Sequence, residues 1–98
     1  MVTLCESESS ADALWKEGIA ATCGAGGAGS APMATITLAL GSYPNVLIVP
    51  DQDEAGFAFG SRVGALLPLA RTKVPETPKD DARDVLTRYG ADWFTTPA

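Results

Sequence analysis

The segment Val46-Leu47-Ile48-Val49 is an unbroken run of β-favouring apolar residues, set between Gly41-Ser42-Tyr43-Pro44-Asn45 and Pro50-Asp51. A strand with no polar face must be covered on both sides, which is the condition of a parallel sheet lying between helical layers. The rest of the chain has to supply those neighbours and covers.

It reads as though it does. Val2 to Cys5 is a second short β-prone run, followed by serines and then Ala11, Ala13, Leu14 and Trp15, a strand, turn and helix in which Ser9 or Ser10 caps and Gly18 ends the helix. A strand over Ile19 to Thr22 comes next. After the glycine-rich stretch 23 to 32, Pro32 opens a helix to Leu40, although Thr35-Ile36-Thr37 also suits a strand. Beyond Val49 the pattern predicts a helix from Glu54 to Leu67 stopped by Pro68, and a strand over Leu69 to Val74. A last helix capped by Asp80 or Asp81 runs through Tyr89 to Gly90. The alternation implies an α/β fold, a three-layer α/β/α arrangement with a mainly parallel four-stranded, Rossmann-like sheet. At 98 residues this is one domain.

Composition removes several function classes. With 7 Lys+Arg against 12 Asp+Glu, a formal charge of −5, the chain lacks the cations that grip nucleic acid phosphates unaided. A polyanionic partner has to be met through metal ions or a neighbouring domain. There is no histidine, and Cys5 and Cys23 have no close pairing, so zinc-finger, Ser-His-Asp and Cys-His arrangements drop out. No apolar run approaches the ~20 residues that span a bilayer, and the N-terminus has no signal-peptide pattern, so no membrane partner and a cytoplasmic setting are expected.

Three acids fall at predicted strand ends: Glu6 after the first, Asp51 and Asp53 after the third. In open α/β sheets ligands bind beyond the carboxyl ends of strands, where the strand order reverses. A 2-1-3-4 order makes the first and third strands neighbours and gathers these carboxylates in one crevice. Like charges held together need a cation, and oxygen donors without histidine suit Mg²⁺ or Mn²⁺. Singly, each acid also reads as a solvated charge or a helix cap. Asp53 and Glu54 fit the start of the third helix in that way, and Glu17, Glu76 and Asp92 are plain surface acids.

At these residues the sequence resembles the Toprim domain, the metal-binding catalytic module of topoisomerases, bacterial-type primases, phage primase-helicases and some nucleases. Cys5-Glu6-Ser7-Glu8 with Asp12 in the following helix is similar to its first motif, and Asp51-Gln52-Asp53 with Gly56 to its Asp-x-Asp motif. Lys79-Asp80-Asp81 with Asp84 resembles the acidic stretch before the last helix of the primase branch. Gly18-Ile19-Ala20-Ala21-Thr22 before glycines resembles the plasmid and phage primase-helicase branch. Ser7 departs from the family, which has glycine after its Glu, and adds a Cβ where substrate would approach the backbone. The three matches come in order and cover nearly the whole chain.

The resemblance implies the Toprim catalytic domain of a DNA primase or primase-helicase in DNA replication, excised from a larger protein and inactive alone. Its reaction would be Mg²⁺-dependent nucleotidyl transfer that makes RNA primers. Glu6, Asp51 and Asp53 would be catalytic and hold the metal, with Asp12, Asp80 and Asp84 as secondary ligands and Glu6 either a ligand or the general acid/base. DNA template and nucleoside triphosphates would be bound through neighbouring domains, with a helicase partner or fused helicase domain. Alternatives are a Toprim nuclease or topoisomerase-like strand-cleavage module, or a non-catalytic metal-binding or dinucleotide-binding module. The dinucleotide reading rests on Gly24-Ala25-Gly26-Gly27-Ala28-Gly29 with Asp51 downstream, but leaves Glu6 and Asp53 unexplained. A phosphoacceptor receiver has only Lys73 to offer, and an Asp-x-Asp phosphatase would carry its pair after the first strand. Trp15, Trp93, Phe57 and Phe59 read as core or interface residues, or as base-stacking ones.

Overall fold

A computed structural model describes residues 2–23 and 45–95 of the chain. Four parallel strands, β1 (Val2–Cys5), β2 (Ala21–Cys23), β3 (Val46–Val49) and β4 (Arg71–Thr72), lie in the order β2-β1-β3-β4. The expected α/β class, parallel sheet and strand order are all present. The helix expected from Pro32 and the glycine-rich stretch before it lie outside the described residues.

Strand alternation decides what each face buries. Leu4, Val46 and Ile48 meet Phe59, Val63 and Leu67 of helix α2 (Glu54–Leu66) and its end. Cys5, Ala21, Leu47 and Val49 face the other way, onto Ala11 and Leu14 of α1 (Glu8–Lys16), Ala82 and Val85 of α3 (Ala82–Tyr89), and Trp93 and Phe94 of the short α4 (Asp92–Thr95). The sheet thus has helices on both faces, and all four residues of β3 are buried, as its composition requires. Each fully buried side chain of the size of Ile48 or Phe59 contributes ~1.5–3 kcal/mol relative to exposure.

Local chemistry moves several boundaries from those the sequence suggests. Ser7, not Ser9 or Ser10, caps α1: its hydroxyl accepts from the Ser10 amide at 3.2 Å. At the other end Gly18 takes φ +80°, while its N–H donates to the Trp15 carbonyl and that of Ile19 to the Leu14 carbonyl, the paired bonds of a Schellman closure. Because Ile19 is used there, β2 starts only at Ala21. Similarly, the Ala70 amide closes a turn onto Leu67, so β4 starts only at Arg71. Arg71 and Thr72 pair with β3, and the Lys73 N–H donates to the Ile48 carbonyl at 3.0 Å. Asp81, one of the two expected caps, starts α3, and Gly90 ends it at φ +81°. No helix among the described residues is long and apolar enough to cross a membrane.

Candidate metal centre

The chain leaves β1 for one edge of the sheet and β3 for the other, so the reversal point lies between these two strands, and Glu6 and Asp51 follow their last residues by one and two positions. The register pairs Cys5 with Val49, which sets both acids at the same end of the sheet. The Asp51 amide donates to Glu6 Oε2. Glu6 is only 6% exposed, an unusual position for a carboxylate, and its buried oxygen is held by a backbone N–H.

Gly56 closes the back of this pair. A Cβ there would fall on the Asp51 carbonyl oxygen and lie 2.8 Å from Glu6 Oε2. Only the absence of a side chain lets the first turn of α2 come this close to both acids. The same amide, Gly56 N–H, donates to Asp53 Oδ1 at 2.6 Å, so Asp53 is the N-cap of α2.

Burial pushes the Asp51 carboxyl up to about 7, helped by the charges of Glu6, Asp81 and Asp53 and by a side-chain hydrogen bond with Glu6. Three acids thus act on a fourth. Removal from water combined with like charge is the condition a divalent cation relieves.

The loop carrying Asp51 and Asp53 is held from outside. Gln52 N–H donates to the Asp80 carbonyl at 2.8 Å, and Lys79 N–H donates to the Gln52 carbonyl at 2.7 Å. To make the second bond Lys79 takes φ +67°, the left-handed region that a side chain disfavours. Asp80 is buried beside this clamp and forms a forked ion pair with Arg88 at 3.1 and 3.2 Å.

The sequence candidates therefore divide. Glu6 and Asp51 are brought into contact. Asp53 is exposed and committed as a cap, although its charge reaches Asp51. Asp80 is neutralised by Arg88, and Asp84 completes a capping box with Asp81, each accepting from the other's amide at 3.1 and 2.8 Å. Asp12 is exposed on α1, and its charge acts on Cys23. Asp81, an expected cap that is not among the expected ligands, also reaches Asp51 with its charge. The sequence signal was its place next to Asp80 in the third acidic stretch.

Among the described residues no group of three or more His, Cys, Asp or Glu side chains is gathered closely enough to cage a metal ion. Glu6 and Asp51 could offer Mg²⁺ only a donor set of the open kind, in which one or two carboxylates are supplemented by water and substrate phosphates. On the α2 side of the sheet a cavity of about 290 Å³ is lined by Pro50, Phe57, Gly60, Ser61, Thr72 and Val74. Pro50 adjoins Asp51 and Phe57 adjoins Gly56, so the cavity and the acids share one turn of chain. Comparison with protein-family models, with curated proteins and with solved structures found no match to this chain.

Proposed function

We propose that the chain is a Toprim-type module for nucleotidyl transfer, the divalent-metal-dependent catalytic part of a DNA primase or primase-helicase working in the cytoplasm. The observation that carries this reading is the contact between Glu6 and Asp51 at the reversal point of the sheet, backed by Gly56.

Glu6 and Asp51 are the residues that would hold Mg²⁺ or Mn²⁺, with Asp53 near enough to add charge. The bound ion would supply neutralisation of the triphosphate and of charge on the attacking and leaving oxygens. The chain's own part is positioning. The Asp51 amide fixes the rotamer of Glu6, the Gln52 clamp fixes the turn that presents Asp51, and burial strips water from the Glu6 carboxylate. Where Glu6 does not serve as a ligand, it would instead take the proton of an attacking hydroxyl. The Phe57-lined cavity offers the organic part of a nucleotide an apolar wall and the hydroxyls of Ser61 and Thr72. Template DNA would be gripped by other domains, because this one carries a net charge of −5.

The test is Mg²⁺ titration of the isotope-labelled chain, followed at the side-chain carboxyl carbons, together with primer synthesis by a protein that contains it. Saturable shifts at Glu6 and Asp51, and loss of primer synthesis in Asp51→Ala with the fold retained, are expected. Unmoved carboxyl resonances, or normal synthesis by Asp51→Ala, would overturn the reading, and DNA nicking without primer synthesis would replace it with the nuclease.

A further inference from the structure

The two cysteines are far apart in sequence but end two adjacent parallel strands as direct register partners, Cys5 in β1 and Cys23 in β2. Register partners in neighbouring strands have Cα atoms about 4.8 Å apart. That falls within the roughly 4.4–6.8 Å span of disulfides. Both side chains lie on the face covered by α1, since Cys5 belongs to that core cluster and Cys23 packs against it. The Cys5 sulfur leans towards β2, with its S–H donating to the Thr22 carbonyl at 3.5 Å. Both are free thiols in the structure; Cys5 is fully buried and Cys23 partly exposed.

We propose that Cys5 and Cys23 form a reversible cross-strand disulfide when the protein meets a small-molecule disulfide oxidant. The exposed partner reacts first. The Cys23 thiolate attacks one sulfur of the oxidant, forming a mixed disulfide and releasing one thiolate. Cys5 then gives up its proton, and its sulfur attacks Cys23 and expels the second thiolate. Two protein thiols are oxidised, one oxidant disulfide is reduced to two thiols, and the two protein protons end on them.

Two features set the behaviour of this bond. Strand spacing exceeds the mean Cβ separation of about 3.8 Å in disulfides, so closure draws β2 inward, and strain of that kind keeps a disulfide easily reduced. Burial shields the Cys5 sulfur completely while Cys23 is partly exposed, so the oxidant meets Cys23 first and the closing attack by Cys5 is the slower step. Cys5 immediately precedes Glu6, so the bond ties the edge strand to the one that presents the buried carboxylate.

The experiment treats the full chain with oxidised glutathione over a pH series, follows intact mass, and checks the fold by circular dichroism. The wild type is expected to lose the mass of two hydrogens without retaining glutathione. Its two titratable thiols then disappear in denaturant and return with dithiothreitol. Cys5→Ser, or Cys5→Ala should the serine disturb the core, is expected to retain one glutathione on Cys23, and Cys23→Ser to stay unmodified while folded. A wild type that stops at the Cys23 glutathione adduct, links two chains, or keeps both thiols free at every pH where it stays folded overturns the proposal.

Discussion

The Asp51 amide and the Glu6 carboxylate are joined by a hydrogen bond that spans 45 positions of sequence, linking the ends of β1 and β3 directly. This bond orients a buried acid with a backbone group that only a proline substitution would remove. The carboxyl of Asp51 is left to respond to whatever cation or proton arrives.

Removing that acceptor exposes its structural role. Glu6→Ala leaves the Asp51 amide without a partner in a site poorly reached by water, at a cost of ~1–3 kcal/mol. Glu6→Gln keeps an oxygen acceptor and is expected to lose much less. Urea denaturation midpoints of the two variants check the difference.

Gly56→Ala is expected to be among the most damaging small substitutions in the chain. Helix propensity favours alanine by up to ~1 kcal/mol. Here the added methyl collides with the Asp51 backbone, which cannot move without breaking the loop. Overpacking of ~1–3 kcal/mol or more outweighs the propensity gain. Thermal unfolding reads the net loss, and the Glu6 and Asp51 resonances are the ones that should shift most.

Asp51 makes stability depend on pH with a definite sign. Its carboxyl is raised from 3.8 to about 7 in the fold, so the folded state binds this proton more tightly than the unfolded chain does. The stabilising contribution is complete below the unfolded value and is lost as pH rises through the folded one. Without metal, the melting temperature of the wild type should fall across that window more than that of Asp51→Asn. Mg²⁺ competes with the same proton, so the melting-temperature rise it causes should grow with pH in the wild type and be small in Asp51→Asn.

Arg88→Ala leaves Asp80 buried without its cation, beside the carbonyl that holds Gln52. The variant is expected to be less stable and to bind Mg²⁺ more weakly than the wild type although Arg88 touches neither proposed ligand. Isothermal titration of Mg²⁺, compared with the melting temperature, separates the two effects.

Much of this could be read from residue types. The apolar tetrad at 46–49 demanded cover on both faces, and α1, α3 and α4 on one side and α2 on the other provide it. Glu6 and Asp51 were marked by their positions after β-prone runs, because a strand end fixes where the next side chains emerge. The roles of Asp80 and Asp84 were not legible, since an acid that pairs with Arg88 and one that closes a capping box are spelled like metal ligands. The opposition of Cys5 and Cys23 was hidden too: spacing along the chain says nothing about register between strands that a helix separates. Lys79 gave no warning of its left-handed backbone, a conformation imposed by a bond to Gln52 from another part of the fold.

The bond from Asp51 to Glu6 and those between Gln52 and residues 79 and 80 make the acidic turn a span with one abutment in each half of the polypeptide. Its curvature is therefore inherited from how α3 docks as well as from the turn's own residues. Cleaving the chain in the Pro75–Pro78 stretch would slacken that arch before it disturbed the sheet, and cation affinity would report the damage ahead of any change in secondary structure.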